Sequence, residues 1–360
     1  MALLTDRALN RATLARQHLL RRSDMPALRM IEHLVGLQAQ APYPPYTGLW
    51  TRLAGFRHQE LADLLTDRSV TRLLLYRGTV HLVSAADCLA LRPVVQPVIE
   101  RMYVTARAVR EVGDPALVAQ HALELLEKGP MTPKELGEAL AERMPGVAPR
   151  RLADVSRARL ALVQVPPRAV WGAGGATRYA TAESWLGAPA EAAALPAVIR
   201  RYLAAFGPAT VADVQAWCGL TRLREVTDTM SDLVRMRGTG GADLLDLPDA
   251  PRPDPGLPAP ARFLPDFDNV VLSYADRSRI VPELLRKNLF LRNGIVPGSI
   301  LVDGMVAGLW RADGGLVTIS PFRPLAAQEI AELDTEGRKL AGFLAAAGET
   351  PDVRFATPAD

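Results

Sequence analysis

Apolar residues recur at helical spacing through most of the first 250 positions, broken by short runs that alternate like strand. Near the start, "RALNRATLARQHLL", "MPALRMIEHLVGLQ" and "RHQELADLLTDRS" read as amphipathic helices, the second with Pro26 in its first turn. "TRLLLYRGTVHLVS" then reads as strand, with a turn at Gly78. A repeat emerges further on: "EKGPMTPKELGEAL" (127–140) aligns with "AFGPATVADVQAWC" (205–218). In each copy a helix stops at Gly-Pro and a threonine, Thr132 or Thr210, stands ready to cap the next helix. A periodic helix precedes each copy ("PALVAQHALELLEKG", "LPAVIRRYLAAFG") and another follows ("APRRLADVSRARLALVQ", "TRLREVTDTMSDLVRM"). "VPPRAVWGAGGATRYAT" supplies two short strands after the first copy.

Helix, tight turn, helix, helix, hairpin is the order of a winged helix. The pattern predicts a mainly α fold with β-hairpins (α+β): three tandem winged-helix motifs plus a C-terminal β-hairpin and helix region. The expected segments are 1–110, 111–190 and 191–250 for the three motifs, a Pro-rich linker at 251–262, and 263–360 for the remainder. In that remainder "SILVDGMVAGLW" is a hairpin turning at Asp303-Gly304, "GGLVTISPF" is a strand, and "LAAQEIAELDTEGRKLAGFLAAAG" is a closing helix.

Composition narrows the class. Of 360 residues 49% are apolar and 22% charged, as in an ordinary protein with a core. No apolar run reaches the ~18 residues of a membrane helix, and "MALLTDRALNR" lacks the apolar stretch of a signal peptide. A cytoplasmic monomer with no membrane contact is expected. Cys88 and Cys218 have no partners at metal spacing and read as buried thiols, so no cofactor is expected. Net charge is only +3, yet residues 1–110 carry 15 Arg against 8 Asp and Glu, and only Lys128, Lys134, Lys287 and Lys339 are lysines. Guanidinium forks suit phosphate oxygens, although an Arg-rich composition also accompanies abundant Ala, Gly and Pro.

Winged helices usually lay their third helix in a nucleic-acid groove. "PRRLADVSRARL" would place Arg150, Arg151, Arg157 and Arg159 on such a helix, and Arg178 on the following wing. These five are the candidate phosphate contacts of a double-stranded DNA partner. Asp303 and Gly304 are read first as a hairpin turn and second as a tip probing DNA. A solvated helix face, with the unit serving as scaffold, is the competing reading of the arginines. No aromatics alternate with basic residues, so a single-strand stacking platform is not indicated.

"GLQAQAP" (36–42) poses the chemical question. Two residues apart on an α-helix, Gln38 and Gln40 diverge by roughly 200°. In extended chain they point the same way. Pro42, Pro44 and Pro45 disfavour helix beyond this point, so the helix is expected to finish near Gln38, with an extended exit on which the amides converge. Together with "ATLARQHLL", "LVGLQAQAPYPPYTGLW", "LYRGTVHLV", "LPDFDNVVLSYADRSR" and "NGIVPGSILVDGMVAGLWR", this motif resembles the AlkZ-type DNA glycosylases, within the larger winged-helix DNA-binding-domain family.

The family hallmark is Gln, an apolar residue, Gln; here Gln38-Ala39-Gln40, with Ala39 at the small end of the pattern. The resemblance implies three winged-helix motifs lining a basic concave surface for duplex DNA, two glutamines needed for catalysis, and a β-hairpin in the same cleft. "ILVDGMVAGLW" and the wing at 164–180 both remain candidates for that hairpin. It also implies excision of bulky N7-alkylated purines, in some members with unhooking of interstrand crosslinks, in repair or self-resistance to alkylating natural products. With lysines scarce, a monofunctional N-glycosylase is expected. The competing class is a non-catalytic winged-helix regulator or scaffold.

Other features are read conservatively. His81, in an apolar strand, reads as a satisfied core histidine, and His33 as surface or core. Asp266 and Asp268 share one side of an extended segment; they would either assist acid–base work or, the safer reading, form a turn or a salt bridge with Arg277 or Arg279. "GAGGAT" (172–177) lacks the lysine and following helix of a phosphate loop and reads as a wing turn.

Overall fold

The computed structural model describes residues 3–357, so residues 1–2 and 358–360 of the expected terminal segments lie outside the described residues. One order of elements occurs three times. Helix Ala27–His33 is followed by strand Leu37–Gln38, helices Pro44–Trp50 and His58–Thr66, and strands Val70–Leu74 and Val80–Ser84. The order returns as helix Pro115–Leu126, a bridge at Met131, helices Pro133–Arg143 and Pro149–Arg159, and strands Leu162–Gln164 and Tyr179–Thr181. It returns again as helix Leu195–Phe206, a bridge at Ala209, helices Val211–Cys218 and Leu223–Thr227, and strands Val234–Gly238 and Asp243–Asp246.

The aligned threonines do the same local work in the second and third units. Thr132 Oγ1 accepts from Glu135 N at 3.1 Å while the Glu135 carboxylate accepts from Thr132 N at 2.8 Å. Thr210 and Asp213 repeat this reciprocal pair at 3.1 and 2.8 Å. Each box satisfies helix N-terminal donors that would otherwise lack a partner, worth about 1 kcal/mol apiece.

The first two units are joined edge to edge. Their strands form one five-stranded antiparallel sheet in the spatial order Leu37–Gln38, Val80–Ser84, Val70–Leu74, Leu162–Gln164, Tyr179–Thr181. The join pairs Arg72 with Gln164 and Leu73 with Val163, so neither unit leaves that edge open to water. Three helices that the sequence reading left unassigned, Ala85–Val94, Gln96–Tyr103 and Ala106–Val112, carry the chain between the units.

The N-terminal residues depart from the expected grouping. Strand Leu3–Leu4 runs parallel to Arg237–Gly238 of the third unit. Helix Asp6–Arg16 is buried on nearly every side, although many of its residues are polar. It works through buried hydrogen bonds instead of an apolar stripe. Arg16 holds Asp246 bidentately at 2.7 and 2.9 Å, and Asn10 Nδ2 donates to the carbonyls of Arg279 and Gly304 at 2.7 and 2.8 Å. The same helix straps down the Pro-rich linker: Arg7, Arg11 and Arg16 donate to the carbonyls of Pro255, Leu257 and Pro251. Proline carbonyls in an irregular segment have no ladder partner, so side-chain donors take that place.

The C-terminal region builds a second five-stranded sheet, ordered Asp352–Phe355, Leu316–Pro321, Met305–Asp313, Ser299–Val302, Arg262–Leu264. The hairpin turns at Asp303-Gly304, as its sequence predicts, with Val302 opposite Met305. Helix Ala327–Leu344 closes the region, burying Leu333, Leu340 and Ala341. Among the described residues no helix is long and apolar enough to cross a membrane.

Candidate active site

The glutamine segment begins where a helix is forced to stop. That helix ends at His33, five residues before the expected end near Gln38. Val35 and Gly36 take positive φ values of 54° and 97°, and Gly36 N donates back to Ile31 O at 2.9 Å. A Cβ on Gly36 would lie 2.7 Å from Val83 Cγ1 and 3.1 Å from Leu82 O. Only glycine lets strand Val80–Ser84 come this close at that φ. The chain therefore enters an extended conformation at Leu37, which pairs with Leu82, while Gln38 pairs with His81.

The strand ends at Gln38; Ala39 turns into the core and Gln40 stands in the bend that follows. Ala39 N donates to Val80 O at 2.8 Å, and Ala39 O accepts from the buried Arg72 guanidinium at 2.7 Å. Gln38 is buried and Gln40 exposed. Each amide oxygen is anchored: Gln38 Oε1 accepts from Arg77 Nη2 at 2.9 Å, and Gln40 Oε1 accepts from Val80 N at 3.2 Å. Guanidinium and peptide N–H groups only donate, so these contacts fix which amide atom is oxygen. Among the described residues neither Nε2 meets a protein acceptor. The arrangement presents two NH₂ groups, one deep and one at the rim, plus a spare lone pair on each oxygen.

Around Gln38 lie residues that the sequence reading did not single out. Arg77, on the turn between strands with φ 54°, also donates to Trp217 O at 2.7 Å and Asn269 Oδ1 at 3.2 Å. Asn269 Nδ2 donates to Gly36 O at 3.2 Å, tying the C-terminal region to the start of the glutamine strand. Burial, and then the Arg277 charge, pull the Arg77 guanidinium down to about 10, leaving it charged at neutral pH. Asn269 closes "LPDFDN", so one signal lay in the sequence; Arg77 carried none beyond standing beside Gly78.

His81 is in the core as expected, but only half satisfied. Its Nδ1 meets Thr79 O at 3.1 Å, while Nε2 has no partner among the described residues. Burial, with Arg77 adding to it, lowers this imidazole to about 3, so it is neutral across the physiological range. His33 turns instead to the carbonyl of Arg16, at 2.6 Å.

The two aspartates separate. Asp268 does not pair with Arg277 or Arg279; both its oxygens hold Arg52 at 2.8 Å, and Oδ1 also caps Val270 N at 2.9 Å. Arg279 instead lies 3.7 Å from Asp213. Asp266 Oδ1 accepts from Gly298 N at 2.6 Å, and burial raises its carboxyl. Neither contacts a glutamine amide.

Most of the candidate DNA-binding arginines already have internal partners. Arg151 pairs with Glu111, Arg159 with Glu100 at 2.6 Å, and Arg178 with Glu135 at 3.2 Å and Pro130 O at 2.8 Å. Arg157 lies 3.3 Å from Tyr179 Oη. Arg150 is exposed and has no partner among the described residues. The Asp303-Gly304 tip is not a free probe: Asp303 bridges Arg7 and Arg11, and a Cβ on Gly304 would collide with Leu14 and Asn10 of the first helix. Five of the 15 N-terminal arginines, Arg11, Arg16, Arg52, Arg72 and Arg92, are 2% exposed or less, so the local charge excess is partly interior. "GAGGAT" is a loop between two strands, and both cysteines are buried thiols pushed up to about 12 and about 11.

A cleft of about 600 Å³ is walled by Tyr43, Trp171, Trp310 and Asp266 among others, and neither glutamine lines it. Tyr43 is three residues from Gln40 and Asp266 three from Asn269, spans of at most about 11 Å between Cα atoms.

No curated protein sequence matches this chain. Its fold is shared with the solved Streptomyces sahachiroi DNA glycosylase AlkZ: TM-score 0.78 at 19% identity, over 99% of this chain and 100% of that one. The family description "DNA glycosylase AlkZ-like" matches residues 31–343, which contain both glutamines, Arg77 and Asn269. With the family signature running over most of its length, the chain belongs to the AlkZ-like DNA glycosylases.

Proposed function

We propose that this chain excises bulky N7-alkylated purines from double-stranded DNA as a monofunctional glycosylase, with Gln38 and Gln40 steering the attacking water. The carrying observation is that both amide oxygens are anchored while neither NH₂ group meets a protein acceptor among the described residues. An N7-alkylpurine is already cationic. When C1′–N9 breaks, the electron pair neutralises the purine and the sugar becomes oxocarbenium-like. Water then bonds to C1′ and sheds a proton to solvent. What the site must supply is orientation: NH₂ groups donate to the water's lone pair, and a spare amide lone pair accepts one of its protons. Losing one such orienting group costs about 2–4 kcal/mol in barrier.

Several features support this assignment. Both Asp268 oxygens are taken by Arg52, which leaves that carboxylate unavailable as a base. All four lysines are exposed while Gln38 is buried, which argues against a Schiff-base intermediate. The roughly 600 Å³ cleft, within three residues of Gln40, leaves room for a large appended group. The three repeated units are read as winged helices docking on the duplex, with Arg150 contacting phosphate. Acceptance of crosslinks, in repair or self-resistance, follows from access that does not require a tethered base to swing free.

The test is incubation with duplexes carrying N7-methylguanine, a bulky N7 adduct, or an N7-linked crosslink. Base release that is lost in folded Gln38→Ala and Gln40→Ala proteins is expected. Unchanged release in both variants would refute the assignment, and a trapped borohydride adduct would refute the monofunctional step.

A further inference from the structure

Arg77 is a cation without a counter-ion that donates directly to the Gln38 amide. It is half-buried, and among the described residues no carboxylate pairs with it. Its three acceptors, Trp217 O, Gln38 Oε1 and Asn269 Oδ1, are all neutral. Arg16 and Arg52 each have a bidentate aspartate, whereas Arg72 and Arg92, like Arg77, meet only neutral acceptors among the described residues, and of these three only Arg77 reaches the side-chain amide of Gln38 or Gln40. A cation taken from water without a counter-ion destabilises the fold unless its hydrogen bonds are good. Its backbone adds to this cost, since φ 54° is a region that side-chain-bearing residues rarely adopt. Both costs are borne at the one residue, among the described residues, that hydrogen-bonds the Gln38 amide.

We infer that Arg77 is a positioning residue: its guanidinium locks the Gln38 carbonyl inward and so aims the Gln38 NH₂ at the reacting water. This rests on the catalytic reading of Gln38. An amide at the end of a two-residue edge strand has broad freedom about its last torsion, and a flip would present the acceptor oxygen where a donor is needed. The planar fork of Arg77 removes that choice, because it offers only donors. Asn269 completes the lock. Its oxygen shares Arg77 and its NH₂ group holds Gly36 O, two residues before Gln38. A lysine at 77 has a single nitrogen and cannot hold three acceptors in this fixed geometry.

The experiment compares wild type, Gln38→Ala, Arg77→Gly, Arg77→Lys and the Gln38→Ala/Arg77→Gly double variant. Glycine suits the positive φ, so Arg77→Gly removes the guanidinium without new backbone strain. Single-turnover base release from an N7-methylguanine duplex is read beside duplex affinity by anisotropy. Release by Arg77→Gly should fall about 10- to 100-fold with affinity within about twofold, Arg77→Lys should rescue little, and the double variant should be no slower than Gln38→Ala alone. If Gln38→Ala is slow and Arg77→Gly is not, the positioning role is overturned while the catalytic reading stands. If Gln38→Ala itself retains full release, the catalytic reading falls.

Gln38→Glu covers the case in which Arg77→Gly does not fold. It keeps an oxygen for Arg77 and adds the missing counter-ion, but loses the NH₂ group. A raised melting temperature with base release lost is expected; a lowered one would show that Arg77 does not grip residue 38.

Discussion

Removing the Asp268 carboxylate tests how the site is held in place. Arg52 and Asp268 are 1% and 4% exposed, joined by two hydrogen bonds of 2.8 Å. Asp268 also caps the short helix Asn269–Leu272, whose first residue contacts Arg77. Asp268→Ala strands a buried guanidinium whose remaining acceptors are Gly48 O and Gln17 Oε1, at 3.0 and 3.1 Å. Breaking a buried pair from one side costs about 3–5 kcal/mol, a large share of the roughly 5–15 kcal/mol that holds a domain folded. Asp268→Asn keeps a capping oxygen and one acceptor, so about 2 kcal/mol is expected. Arg52→Leu/Asp268→Leu removes both charges and should cost less than either single change. Urea titrations followed by tryptophan fluorescence and circular dichroism give the midpoints. Asp268→Ala unfolding within about 1 kcal/mol of wild type would refute the reasoning. Loss of base release by Asp268→Asn at unchanged stability would instead make Asp268 a chemical participant.

Three further outcomes are expected. Stability should fall as pH drops from 6.5 toward 3, because the unfolded chain binds a proton at His81 that the folded chain, with its imidazole lowered to about 3, does not. By pH 5 the loss from this group is about 2 kcal/mol, and a His81→Leu protein should show a flatter melting-temperature profile; an equal slope would contradict the assignment. Asp303→Ala should destabilise by about 1–3 kcal/mol by unpairing the buried Arg11, yet leave duplex affinity unchanged, as titration and anisotropy would show. Arg150→Ser should weaken binding uniformly across sequences and reduce the log–log salt slope by about 1, while Arg151→Ser, already paired with Glu111, should change it less.

What the sequence disclosed follows from how local each interaction is. Thr132 and Thr210 announced their helices because a capping box needs only residues three apart. Asp303-Gly304 announced its hairpin for the same reason. An extended stretch here, Leu37–Gln38 in the structure, was legible in the prolines that follow it, but the helix end was not. It is set at Gly36 by contact with Val83, nearly fifty residues away. The first helix was assigned to the following unit because its partners, Asp246, Arg279 and Gly304, are more than 200 positions distant. Asp268 was matched with nearby arginines for want of any sign that Arg52 lies across the fold. Arg77 is not legible in the chain, because a guanidinium with three neutral acceptors leaves no linear pattern.

The central claim is tested most directly by single-turnover release of N7-methylguanine from a duplex by the wild type and by Gln38→Ala, Gln40→Ala and the double variant, all shown folded by circular dichroism. Each single change should slow release about 30- to 1,000-fold, and the double change should fall well short of the product of the two, because both amides act on one water. Release at the wild-type rate from the double variant would contradict the account.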